Sequence, residues 1–173
     1  MVGCSEKPQI PTLKEKAEGG DAEAQSMLGF EYETKQDLKE AVKWYRKAAE
    51  QGDVDAQLAL GDMYSDGRGV EKDFKGAAKW YRKAAEQGYA SAQWLLGIMY
   101  SKGEGVPEND VAALAWLNIS QTNSAIKFKL DNEYIPKIKA NIVMLKNISP
   151  EQIAKAQELS KEMIKKNPKL LKD

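Results

Sequence analysis

The feature that most constrains this chain is a ten-residue block that occurs twice without a change. Residues 43–52 read KWYRKAAEQG, and residues 79–88 repeat them at an offset of 36 residues. Identity over this length does not arise from helix propensity or amphipathic patterning, so the chain contains copies of one supersecondary unit. Stacked units expose long continuous surfaces, and such proteins usually work by holding partners, with no need of a catalytic pocket.

A second pattern, Gly-x-x-x-Ala-Gln-x-x-Leu-Gly-x-x-Tyr, raises the number of copies to three. It occurs at residues 20–32, 52–64 and 88–100. The period is 32 residues and then 36, and the four missing residues fall in the loop after Tyr32. The first unit is therefore expected to have a tighter turn.

The apolar spacing within each unit predicts a pair of helices. Ala56, Leu60 and Tyr64 are four residues apart, so they form an apolar stripe on a first helix, helix A. The stripe of the second helix, helix B, consists of Ala77, Trp80, Tyr81, Ala84 and Ala85. Glycines after each helix supply the left-handed backbone geometry that ends it. Each unit is thus predicted to be helix A, a glycine turn and helix B.

These patterns resemble the Sel1-like repeat proteins, a family with bacterial members that is related to the tetratricopeptide repeats. The likeness rests on the Ala-x-x-x-Leu-Gly-x-x-Tyr core, the Gly-x-Gly-Val loops at residues 67–70 and 103–106, and the Trp-Tyr-x-x-Ala-Ala-x-x-Gly helix B. The 36-residue period with this loop favours the Sel1-like unit over the 34-residue tetratricopeptide unit. The resemblance covers about residues 20–122. It implies an all-α, right-handed α/α solenoid of about three hairpins that acts as a protein-binding scaffold.

The chain departs from some secreted members of that family, which staple each hairpin with two cysteines, because it contains one cysteine in total. The predicted organisation is a tether, an N-terminal cap, three repeats and C-terminal capping helices. The tether is assigned to residues 1–11, the N-terminal cap to 12–19 and the C-terminal capping helices to 124–173. The three repeats are 20–51, 52–87 and 88–123, so that the cap and repeats together span 12–123. Capping boxes are predicted at Thr12-Leu13-Lys14-Glu15 and Ser149-Pro150-Glu151-Gln152, with a bend near Pro136 between them.

The predicted tether contains a candidate lipidation site. Val2-Gly3-Cys4-Ser5 resembles the end of a bacterial lipobox, although the chain lacks the apolar segment that a lipoprotein signal places before it. Cys4 is therefore either a lipid anchor or an accidental match. The expected location is the periplasm or cell envelope, lipid-anchored or secreted, and the alternative is the cytoplasm. The scarcity of cysteine fits both.

The composition argues against several classes of function. The chain has no histidine, so the most common general base and zinc ligand are missing. No apolar run approaches the roughly 18 residues of a membrane-spanning helix, and lysines and glutamates interleave after residue 150, which does not predict nucleic-acid binding. We therefore expect a non-enzymatic monomer without cofactor or metal. A cell-wall-active envelope enzyme is the alternative.

The candidate binding residues lie on helix A, away from its Ala/Leu/Tyr stripe. In the resembled family helix A lines the concave side, and these positions face the groove. The predicted partner-binding residues are Phe30, Leu58, Asp62, Trp94 and Ile98, flanked by Ser26, Glu33, Ser65 and Ser101. Trp94 would anchor an unidentified protein or peptide, and Asp62 would favour basic partners. Alternatively, the four apolar residues pack between neighbouring A helices or under the C-terminal helix.

Overall fold

The computed structural model describes residues 12–123, 139–140, 142–143 and 146–171, and within them all regular elements are helical. The predicted tether with Cys4 and the predicted bend near Pro136 lie outside the described residues. The helices are α1 Leu13–Glu18, α2 Ala22–Thr34, α3 Leu38–Glu50, α4 Val54–Asp66, α5 Phe74–Glu86, α6 Ala90–Lys102, α7 Asp110–Thr122 and α8 Pro150–Lys166, followed by a 3-10 turn at Pro168–Leu170. Residues 139, 140, 142 and 143 are also helical.

The helices form an α-solenoid of three hairpins, as predicted. The pairs α2–α3, α4–α5 and α6–α7 are the A and B helices of successive repeats, and each B helix packs on the next A helix. Helix α1 packs on α2, and α8 packs on α7 in the place of a following A helix. The two predicted capping boxes are confirmed: Thr12 and Ser149 each accept from the backbone of the third helical residue, whose side chain accepts from the cap backbone.

Tryptophans on the B helices lock each hairpin to the element before it. Trp80 is buried, as its place in the predicted apolar stripe requires, and Trp44 and Trp116 are buried at the equivalent positions of the other two repeats. Trp80 packs in a cluster with Ala48 and Ala49 of the preceding B helix and with Leu60 of its own A helix. Because both contacts recur, one aromatic side chain per repeat joins three helices.

The inner glycine of each A helix allows helix B to approach closely. A Cβ atom on Gly29 would lie 2.7 Å from Cδ1 of Tyr45, and one on Gly61 would overlap the ring of Tyr81. In the third repeat Leu117 replaces the tyrosine, and a Cβ on Gly97 would lie 2.9 Å from its Cγ. The glycine of the Leu-Gly pair is therefore a packing requirement of the hairpin.

A glycine in each long loop holds the start of the preceding B helix. Gly69 and Gly105 have φ of 71° and 70°, and a Cβ on either would overlap the backbone carbonyl oxygen of Leu38 or Phe74, respectively. Repeat one lacks this loop and turns through Gln36 with φ of 64°, which confirms the predicted tighter turn. The helix before it, α1, has only six residues. The long loop contacts the first turn of a full-length B helix. The short α1 has no equivalent turn, and the first repeat has no long loop.

A buried glutamine follows the alanine of each A-helix signature and joins neighbouring repeats. The Nε2 atoms of Gln25, Gln57 and Gln93 donate to the carbonyl oxygens of Ala17, Ala49 and Ala85 at 2.9, 3.1 and 3.1 Å, respectively. Each of these carbonyls lies near the end of the preceding helix and also accepts from the backbone N–H of Gly20, Gly52 or Gly88, so the glutamine supplies its second hydrogen bond. The Ala-Gln pair therefore sets the register of one repeat on the next.

Candidate functional site

A groove with a volume of about 470 Å³ lies between the A helices of the first two repeats. Helices α2 and α4 form its walls, and single residues of α1, α3 and the loop after α4 complete it. The lining residues are Leu13, Ser26, Met27, Phe30, Glu33, Tyr45, Asp55, Leu58, Ala59, Asp62 and Arg68. This face is the one that the sequence predicted for partner binding.

The apolar part of the groove is unusually exposed. Phe30 is 62% exposed and Met27 is 55% exposed, and the two lie three residues apart on α2. Leu58 contributes a partly buried side chain from the facing helix. Large apolar side chains that cluster at the surface mark interaction sites in soluble proteins. The groove therefore offers a contact area for apolar side chains of another molecule.

The walls of the groove are acidic. Helices α2 and α4 contain neither lysine nor arginine, and their six carboxylates belong to Glu23, Glu31, Glu33, Asp55, Asp62 and Asp66. Three of these line the groove: Glu33, Asp55 and Asp62. The helices thus create a negative potential across the face that carries Phe30.

The groove carboxylates are held in place by tyrosines and one arginine. Glu33 accepts a bond from the Tyr45 hydroxyl at 2.7 Å and pairs with Arg68 at 2.9 Å. Asp62 accepts from the Tyr81 hydroxyl at 2.7 Å. Burial raises the pKa of Asp62 above its usual value, and burial together with the bonded Asp62 carboxylate raises the pKa of Tyr81, which keeps the phenol protonated as a donor.

Among the described residues, Glu33 is the groove carboxylate that forms an ion pair. Asp62 is bonded to a neutral hydroxyl, and Asp55 accepts from the Tyr89 hydroxyl at 3.1 Å. Neither has a lysine or arginine within ion-pairing distance in the described part of the chain. Two fixed acidic groups therefore face the groove with no described cation within ion-pairing distance of either.

The predicted binding residues separate into two groups. Phe30, Leu58 and Asp62 lie together in the groove, whereas Trp94 and Ile98 are not among its lining residues and are partly buried. Trp94 packs against a cluster in the C-terminal part of the chain that consists of Leu114, Leu117, Ile142, Ile148 and Ala156. For Trp94, the structure therefore shows the packing alternative, and the exposed aromatic anchor of the groove is Phe30.

Six lining residues were not predicted from the sequence as groove residues: Leu13, Met27, Tyr45, Asp55, Ala59 and Arg68. Met27 adjoins Leu28, which belongs to the Ala/Leu/Tyr stripe and is buried, so the repeat signature already places Met27 outside that stripe. Arg68 reaches Glu33 from 35 positions along the chain, through a loop whose path depends on the stacking of the repeats. A helical wheel could have identified Met27, because it places Met27 and Phe30 on one face of α2.

Replacing Trp94 with alanine is expected to lower the free energy of unfolding by about 2 kcal/mol, because removal of the indole would leave a partly filled cavity under the C-terminal segment. Urea denaturation followed by circular dichroism measures this change. Phe30→Ala is the matched control, since it removes an exposed ring and should shift stability by less than about 0.5 kcal/mol. An unchanged midpoint for Trp94→Ala would contradict the packing role.

Comparison with known proteins identifies similar folds. The model of the Sel1 repeat matches residues 22–53, 54–89 and 90–120. A crystal structure of a protective antigen of uropathogenic Escherichia coli with an SLR fold is 38% identical with a TM-score of 0.78, and the match covers 91% of this chain and 33% of that one. A Sel1 repeat protein from Oxalobacter formigenes is 38% identical with a TM-score of 0.62, covering 75% of this chain and 95% of that one. No curated protein matches. This chain therefore spans about a third of the antigen.

Proposed function

This chain belongs to the Sel1 repeat family, and from that premise we propose that it is a protein-interaction scaffold that binds a segment of a protein partner in the groove between α2 and α4. Proteins of this family generally act as interaction scaffolds. The observation that carries the proposal is the exposure of Phe30 and Met27 on the α2 wall of the groove. Exposed aromatic side chains at the centre of an interface supply much of its binding energy.

The size of the groove fits a peptide segment. A volume of about 470 Å³ lies within the range of roughly 300–1,000 Å³ that is typical of ligand sites. It accommodates a few side chains of a partner. The hairpins around it are held by buried tryptophans and by glutamine bonds, so the walls are preformed and binding does not require the helices to order.

The chemistry of the groove favours binding over catalysis. Its lining includes no histidine, cysteine or lysine, and its carboxylates accept bonds from tyrosines and an arginine. Nucleophilic catalysis needs a nucleophile within reach of a base that activates it. The hydroxyls bonded to Glu33 and Asp62 belong to Tyr45 and Tyr81. Burial raises the pKa of both tyrosines, so neither is activated as a nucleophile, which supports the scaffold over the cell-wall-active enzyme.

None of the described helices is long and apolar enough to span a bilayer. Similarity to a bacterial antigen is compatible with a protein of the cell envelope. The envelope location and the lipid anchor at Cys4 stay predictions from the sequence, and fractionation of the producing cells is the measurement that decides the location.

A photo-crosslinking residue at position 30 is expected to capture the partner in the producing cells. The control carries the same residue at position 43, where Lys43 is exposed on the B-helix side, remote from the groove. A discrete adduct from position 30 that is missing from position 43 supports the proposal, and Phe30→Ser should abolish capture by a crosslinker at position 27. Equal adducts from both positions, or none from position 30, would overturn groove binding.

A further inference from the structure

We propose that the segment bound in this groove is an amphipathic helix that carries lysine or arginine beside its apolar stripe, an inference that rests on the proposed function of the groove. Two independent observations carry it. One is the charge of the open groove, and the other is the way in which the chain fills the equivalent face of its own third repeat.

The 36-residue period makes the groove positions of repeats two and three equivalent. Leu58 corresponds to Trp94, and Ser65 corresponds to Ser101. In repeat two this face is open, and Leu58 lines the groove. In repeat three the same face is covered, because Trp94 packs against the cluster that includes Ile142 and Ile148. The C-terminal segment therefore covers the A-helix face of repeat three, and the described residues leave the same face of repeats one and two open.

The covering segment combines apolar and basic side chains. Its described residues at 139, 140, 142 and 143 are helical, and Ile142 is buried. Lys146, one turn further on, donates to the carbonyl oxygen of Ser101 and pairs with Glu108 at 2.5 Å and Asp110 at 3.0 Å. An apolar residue thus enters the core while a lysine meets carboxylates and the end of the A helix. These described residues, helical at 142–143 and in a turn at Lys146, show within the chain how apolar and basic side chains fit the A-helix face.

The open groove offers the same two kinds of contact to another molecule. Phe30, Met27 and Leu58 provide apolar surface, while Asp55 and Asp62 provide carboxylates that lack a cation among the described residues. A cation placed beside Asp55 and Asp62 would gain from the negative potential of these two carboxylates, which no lysine or arginine of α2 or α4 offsets. An acidic segment would meet repulsion at the same positions, so complementarity selects basic partners.

Synthetic helical peptides test this chemistry with the purified full chain. The first peptide has an isoleucine stripe flanked by lysines, the second has the same stripe flanked by glutamates, and the third keeps the lysines but has serines in place of the isoleucines. Binding is measured by fluorescence anisotropy at low salt and at about 0.5 M salt, where exposed charges are screened. We expect the first peptide to bind at least ~10-fold more tightly than either of the others.

A pair of variants assigns the preference to the groove. Asp62→Asn should reduce the advantage of the lysine peptide over the glutamate peptide several-fold. Asp66→Asn makes the same charge change on the same helix at an exposed residue outside the groove lining, and it should leave the advantage largely intact. Phe30→Ser should weaken the lysine peptide strongly, with circular dichroism confirming that each variant is folded.

Several results would overturn the inference: equal binding of the lysine and glutamate peptides, equal binding of the isoleucine and serine peptides, equal effects of the two asparagine variants, or no binding of any peptide. Crosslinking from position 30 separates this failure from failure of the proposed function. A crosslinked partner together with any of these results keeps the scaffold and rejects the basic helix. Lysine-selective peptide binding without a crosslinked partner keeps the chemistry of the groove and rejects the scaffold function.

Discussion

Replacing Trp80 with alanine is expected to lower the free energy of unfolding by about 3–5 kcal/mol, the range for deleting a large buried aromatic side chain. Trp80 is 7% exposed and lies between the first and second hairpins. Its neighbours include Ala48, Ala49 and Ala56, whose short side chains have little freedom to fill the space that the indole would leave. Loss of the side chain should therefore weaken both the hairpin and the contact between repeats.

Urea denaturation with linear extrapolation measures this loss. Lys79→Ala is the matched control, because it shortens the adjacent side chain on the exposed side of the same helix. It removes only the exposed contact of Lys79 Nζ with the Trp80 ring, 5.9 Å from the ring centre, and should change stability by less than about 1 kcal/mol. If Trp80→Ala and Lys79→Ala have the same midpoint, the B helix does not bury its tryptophan in the way described.

Replacing Gly69 with alanine is expected to cost about 3 kcal/mol or more, although only one methyl group is added. The residue has φ of 71°, and an L-residue in this left-handed region costs roughly 1–2 kcal/mol. In addition, the new Cβ would overlap the carbonyl oxygen of Leu38, a backbone atom that is fixed at the start of α3. Forcing extra atoms into a packed contact costs typically 1–3 kcal/mol more, because the two hairpins must move apart.

Gly52→Ala separates these two causes. Gly52 also has a positive φ, 99°, but a Cβ there would have no neighbour within 4 Å. It should therefore show the backbone cost alone, about 1–2 kcal/mol. Thermal and urea denaturation of the two variants give the comparison. Equal losses would mean that the loop has room for a side chain and does not hold the preceding helix.

Much of the fold was predictable because each structural requirement recurs in the sequence at a fixed spacing. The glycines that end helices, the B-helix tryptophans and the capping boxes are each local signals. The role of Gln57 was not predictable, since its bond to the carbonyl oxygen of Ala49 exists only once two repeats are stacked. Local patterns thus define each hairpin, while the contacts between hairpins appear only in the assembled array.

The candidate site was predictable in part for the same reason. The repeat identified which helix faces the groove, and Phe30, Leu58 and Asp62 lie there. Exposure of the equivalent Trp94 depends on what covers it, and the covering segment follows no repeat pattern. Leu58 and Trp94 occupy the same position in their repeats, but their surroundings differ because a non-repeating segment packs on Trp94.

The contacts of Gly69 and Gln57 also bear on how arrays of this kind change in length. Each contact refers only to the repeat immediately before it, and the same contacts recur at Gly105 and Gln93. Excision of residues 54–89 would join Asp53 to α6, giving that helix the aspartate cap that Tyr89 does not supply. Gain or loss of one gene segment of this size would create no new kind of junction, so recombination can lengthen or shorten such proteins in whole steps and leave a foldable product at each step.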